Sequence, residues 1–72
     1  MIKDDNKIIV FNKFSGKLAV DGLRITKRSY NSLNKVLYKI DSNCQIIKHY
    51  GSYYLNNKGR FFCLDEKIIV NL

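Results

Sequence analysis

The 72 residues contain no proline and no tryptophan, and only four glycines. With no proline and no Gly/Ser-rich stretch, nothing marks an internal boundary. A prior of roughly 100–200 residues per domain leaves room for one only, so residues 1–72 read as a single small domain. Such a chain buries only about 60% of its unfolded surface, which points away from an enclosed catalytic pocket and toward function on the outer surface. Long hydrophobic runs are missing too. None approaches the ~20 apolar residues that span a bilayer, so no membrane is expected as a partner. The opening Met1-Ile2-Lys3-Asp4-Asp5-Asn6 lacks the basic-then-apolar layout of a secretion signal, and a cytoplasmic location is expected. Residues 1–6 read as a loose terminus.

Chemistry-bearing side chains are equally scarce. Cys44 and Cys63 are too few for a disulfide framework, so two reduced thiols are the primary expectation and a single Cys44–Cys63 bridge the secondary one. Cys44, His49 and Cys63 lack the paired spacing of a zinc site, so no metal is expected. His49 is the only histidine and has no acid near it in sequence; Asp4-Asp5 and Asp65-Glu66 lie in a terminus and a turn. No glycine pattern for phosphate or dinucleotide cradling occurs. The chain reads as a non-enzyme without a cofactor.

What the chain does have is positive charge: 13 Lys and Arg against 6 Asp and Glu, a net +7. Ten of the thirteen are lysines, and Lys, Asn and Ile together fill 27 positions. All three have A/T-rich codons, so codon usage of the kind found in A/T-rich genomes and their phages is an alternative to selection for phosphate binding as the source of part of the excess. A pI near 9.6 still implies attraction to polyanions.

The elements read as α+β. Lys7–Asn12 is β-branched and aromatic and ends near Phe14-Ser15-Gly16; Lys17–Val20 follows. Asp21-Gly22 is the strongest hairpin signal, and a two-residue turn there would pair Val20 with Leu23 and Leu18 with Ile25, making residues 7–26 a three-stranded meander. Tyr30, Leu33, Val36, Leu37 and Ile40 then form an apolar stripe at helical spacing, predicting a helix over Ser29–Ile40 with Thr26 or Ser29 as N-cap and Asp41-Ser42-Asn43 as stop. Three or four further strands follow: Cys44–Tyr50, with a bulge or tight turn at Gly51-Ser52, then Tyr53–Asn56, Arg60–Leu64 and Lys67–Val70. The expected architecture is one helix packed on one face of an antiparallel sheet.

Five aromatics interleave with Lys48, Lys58 and Arg60 between Lys48 and Phe62. A three-residue loop Asn57-Lys58-Gly59 would set Asn56 opposite Arg60 and Tyr54 opposite Phe62. Strand alternation then gives Tyr54, Asn56, Arg60 and Phe62 one shared outward face, two rings beside a guanidinium, suited to stacking on bases. The competing reading is an ordinary cross-strand pair, and a one-residue slip would exchange the faces. Lys27 and Arg28 lie at the positive end of the helix dipole, where a bound anion would relieve them and where solvent screening does so equally well; Arg24, Lys35 and Lys39 extend that patch.

Three expectations follow. The first is a small binding protein contacting nucleic acid or a nucleoprotein complex through Arg24, Lys27, Arg28, Lys35, Lys39, Lys58 and Arg60, with Tyr54 and Phe62 stacking. The second rests on general character alone. In size, A/T-rich residue usage and want of catalytic groups, the chain resembles small phage-encoded proteins that block host defence nucleoproteins; the resemblance implies a protein-binding inhibitor acting in the host cytoplasm. The third is a homodimer pairing Lys67–Val70 across a two-fold axis through an open edge.

Overall fold

The computed structural model describes residues 1–72. Strand β1 is Ile2–Lys3, β2 Ile9–Asn12 and β3 Lys17–Asp21; a 3₁₀ turn Gly22–Arg24 leads to helix α1, Tyr30–Ile40; β4 is Cys44–His49, β5 Ser52–Asn57, β6 Arg60–Cys63 and β7 Lys67–Asn71. The expected α+β class with one helix on antiparallel strands is found. The strands form two sheets rather than one: sheet A in the order β1-β2-β3-β7 and sheet B in the order β4-β5-β6.

Sheet A corrects two expectations. Residues 1–6 are not loose: Ile2 and Lys3 pair with Phe11 and Val10. The Asp4 carboxylate accepts the Ile9 amide at 2.6 Å and the Asn6 amide at 3.2 Å, which folds the connection back onto β2. Asp21-Gly22 is no hairpin turn. Residues 23–26 form no strand, and the place beside β3 is taken by β7, with Leu18 opposite Val70 and Val20 opposite Ile68. Gly22 serves a close approach instead. A Cβ there would lie 2.5 Å from the Leu64 carbonyl oxygen and 2.8 Å from that of Glu66, so only glycine lets these backbones meet.

Helix α1 forms where its stripe predicts. The Thr26 hydroxyl accepts the Ser29 amide at 3.1 Å and the Ser29 hydroxyl accepts the Thr26 amide at 3.0 Å, a reciprocal pair that closes the turn leading into the helix. Leu33 and Leu37 are fully buried, and Tyr30, Val36 and Ile40 pack around them. Beside the stripe, the Asn34 amide accepts the Ile46 N–H at 2.6 Å and donates to the Ile46 carbonyl at 3.0 Å, occupying the outer edge of β4 as a short strand would.

Sheet B is a meander with two tight turns. Tyr50-Gly51 and Lys58-Gly59 both have positive φ at each central residue (50° and 80°, 53° and 85°), the mark of two-residue type I′ turns. The second replaces the expected three-residue loop. Asn57 opposes Arg60, Leu55 opposes Phe62 and Tyr54 opposes Cys63. Burial of Leu64 sets this phase: it is 4% exposed, and alternation carries Phe62 and Arg60 to its side of the strand. The core joins the three layers through Ile9, Leu18 and Val20 of sheet A, Leu33 and Leu37 of α1, and Ile46 and Leu55 of sheet B.

Candidate nucleic-acid interface

The reading of α1 as a basic surface rests on its periodicity. Opposite the Leu33–Leu37 stripe, Asn31, Ser32, Lys35, Tyr38 and Lys39 are all exposed, Tyr38 by 67%, as are Lys27 and Arg28 in the turn before the helix. No carboxylate occurs from Thr26 to Ile40. At 1.5 Å per residue, Lys35 and Lys39 stand about 6 Å apart along the axis. Of the expected contact residues, Lys35 and Lys39 therefore share the exposed face of α1, and Lys27 and Arg28 are exposed in the turn that leads into it. Arg24 is exposed in the 3₁₀ turn just before it. Beyond the far end, the Lys58 amide donates to the Asn43 carbonyl at 3.2 Å, so the basic β5–β6 turn adjoins the loop that follows α1.

The helix terminus itself is less of an anion cradle than expected, because Thr26 already accepts the Ser29 amide. On one flank, Arg28 and Lys39 line a polar depression with Lys3, Asp4, Asp5 and Ser32. Its two carboxylates make that side mixed in charge and leave Lys27 and Lys35, outside the depression, on the more positive side.

The aromatic half of the expected surface does not form. The two-residue turn slips β6 by one position, so Tyr54 and Phe62 lie on opposite faces of sheet B. Phe62 is half-buried against the core, with the Arg60 guanidinium 5.8 Å from its ring centroid. Tyr54 faces outward with Ile47, His49 and Phe61, which line a shallow depression on the outer face of the sheet. Phe61, 60% exposed, is the ring that sequence reasoning missed. Alternation gives that face Gln45, Ile47 and His49 from β4, Ser52, Tyr54 and Asn56 from β5, and Phe61 and Cys63 from β6, none of them Lys, Arg, Asp or Glu. A period-two reading of β4 and β5 alone would have flagged a charge-free face; locating Phe61 on it required the register.

The thiols lie apart. Cys44, on the inner face opposite Asn57, is buried, whereas Cys63, on the outer face opposite Tyr54, is exposed, and both are free. Burial, helped by the nearby Asp41 carboxylate, pushes the Cys44 thiol up to about 11, so neither nucleophilic nor metal-binding thiolate character is favoured there. No helix is long and apolar enough to cross a membrane. No protein-family model matches the chain, and no curated protein or solved structure is significantly similar to it.

Proposed function

We propose that this is a small, cytoplasmic, non-enzymatic binding protein that lays the basic face of α1 on the phosphates of a nucleic acid or nucleoprotein. The observation carrying the proposal is the exposure of Lys35 and Lys39 on α1 and of Lys27 and Arg28 in the turn before it, with no acid from Thr26 to Ile40. Contacts of this kind supply affinity with little base discrimination. Arg24 and Lys58 extend the surface at its two ends. Arg60, held over Phe62, is a rim contact, and Tyr54 and Phe62 take no part in stacking.

Neutralising about four phosphates implies a salt slope near −4, hence a loss of roughly 100-fold in affinity between about 50 and 200 mM salt. Fluorescence anisotropy with a labelled oligonucleotide reads this, and Lys35→Glu with Lys39→Glu should abolish the binding. Failure to retain either RNA or DNA at low salt would reject the proposal.

A second reading, the protein-binding inhibitor, gains support from the charge-free outer face of sheet B. A pull-down that survives nuclease and high salt, and is lost with Tyr54→Ala and Phe61→Ala together, would favour it. The expected self-association through β7 has weaker support: alternation turns the unpaired backbone groups of β7 out at Lys67, Ile69 and Asn71, and a lysine on a free edge resists pairing.

A further inference from the structure

Each sheet has two edges, and they are not equally protected. The β4 edge is occupied at Ile46 by the Asn34 amide, and β1 is only two residues long. The β7 edge carries Lys67. The β6 edge also begins with a cation, Arg60, but the backbone of Arg60 pairs with β5 at Asn57, and the edge positions that follow carry no charge. In a two-residue hairpin, Asn57–Arg60 and Leu55–Phe62 are the hydrogen-bonded pairs, so the N–H and C=O groups of Phe61 and Cys63 point away from β5 with nothing paired to them. Both side chains are exposed.

The chain around this edge is self-complementary. Lys58 and Arg60 precede Phe61, and Asp65 and Glu66 follow Cys63, all four exposed. The Leu64 amide still donates to the Tyr53 carbonyl at 2.9 Å, so the ladder runs up to the acidic turn. Consider a second copy pairing antiparallel about a two-fold axis at Phe62. Phe61 of each copy then opposes Cys63 of the other, and the two residues exchange N–H···O=C bonds. Arg60 falls opposite Leu64, and the basic turn of each copy meets the acidic turn of the other. An isologous contact repeats this favourable meeting at both ends.

We propose that the β6 edge is a self-association surface, on which two copies of this chain join their three-stranded sheets into one of six strands. The Phe62 rings meet across the axis on the inner side, and the charge-free outer faces become continuous. The contact uses none of the residues of α1, although it shares Lys58 and Arg60 with the margin of the proposed basic surface.

Sedimentation of the wild-type chain across a wide concentration range should show the 8.4 kDa protomer giving way to a species of twice that mass. Lys58→Glu with Arg60→Glu, or separately Asp65→Lys with Glu66→Lys, places like charges together at both ends and should weaken self-association about 10- to 100-fold. An equimolar mixture of the two reversed proteins restores opposite charges at both ends, so it should form a heterodimer although each protein alone stays monomeric. That recovery cannot come from misfolded variants. A mass of 8.4 kDa at every wild-type concentration would overturn the proposal. So would a dimer that survives both reversals but dissolves with Ile69→Lys, because it would run through β7.

Discussion

Replacing Asn34 with alanine should show how strongly α1 is tied to sheet B. The Asn34 amide both accepts from and donates to Ile46, at 2.6 and 3.0 Å, and Ile46 is fully buried. Two hydrogen bonds at about 0.5–1.5 kcal/mol each, with the backbone partners left unpaired in a part-buried site, put the loss at about 2–3 kcal/mol. At roughly 0.05–0.15 kcal/mol per residue, a chain of this size has about 4–10 kcal/mol in all, so the variant should lose about a fifth or more of its stability. With a urea m-value near the low end, about 1 kcal/mol/M, the unfolding midpoint should fall by about 2 M or more. Hydrogen exchange at the Ile46 amide should accelerate in parallel. Asn34→Asp separates the two bonds, since a carboxylate still accepts the Ile46 N–H but repels the Ile46 carbonyl. An alanine variant within about 0.5 kcal/mol of wild type, with Ile46 protection unchanged, would refute the reasoning.

Further substitutions test the rest of the architecture. Gly22→Ala would drive a Cβ to 2.5 Å from the Leu64 carbonyl oxygen; it should destabilise by about 2 kcal/mol or more and lower the thermal midpoint by about 10 °C, whereas an ordinary Asp-Gly turn would tolerate it far better. Asn57 is buried with an Oδ1 that has no hydrogen-bond partner, so Asn57→Val should raise stability by about 1 kcal/mol in urea unfolding, and a fall would contradict this. A thiol reagent should modify Cys63 quickly and Cys44 only on unfolding. Because folding raises the Cys44 pKa from 9.0 to about 11, its contribution to stability is complete below the unfolded value and fades as pH climbs through the folded one. Thermal melts should therefore decline between about pH 9 and 11, and Cys44→Ala should remove that part of the decline.

The helix was legible because its information is local: Tyr30, Leu33, Val36, Leu37 and Ile40 repeat at 3.6 residues, and the same period assigns Lys35 and Lys39 to the opposite face, with Lys27 and Arg28 in the turn ahead of it. The hairpin was not legible in the same way. Arg60-Phe61-Phe62-Cys63 is apolar at three successive positions, so its pattern has no phase, and Asn57-Lys58-Gly59-Arg60 accommodates a loop of two residues or three. Burial of Leu64, beyond the strand, decides between them and moves Phe61 to the outer face and Phe62 to the inner one. Asp21-Gly22 misled for a related reason. The glycine answers a contact with Leu64 and Glu66 far along the chain, and β3 finds its neighbour in β7, a pairing that no local turn signal encodes. The order in Ile2–Lys3 depends likewise on β2 and on the Asp4 side chain. Local periodicity thus revealed the cations of the candidate site, while its aromatics depended on register and could not be assigned without it.

The most direct measurement is a nuclear magnetic resonance titration of the isotope-labelled chain with a short oligonucleotide at low salt. Shift changes should concentrate on the amides of Lys27, Arg28, Asn31, Lys35 and Lys39, extend to Arg24 and Lys58, and vanish as salt rises. Changes centred instead on Ile47, Tyr54 and Phe61, with the α1 amides unmoved, would contradict phosphate recognition by the helix.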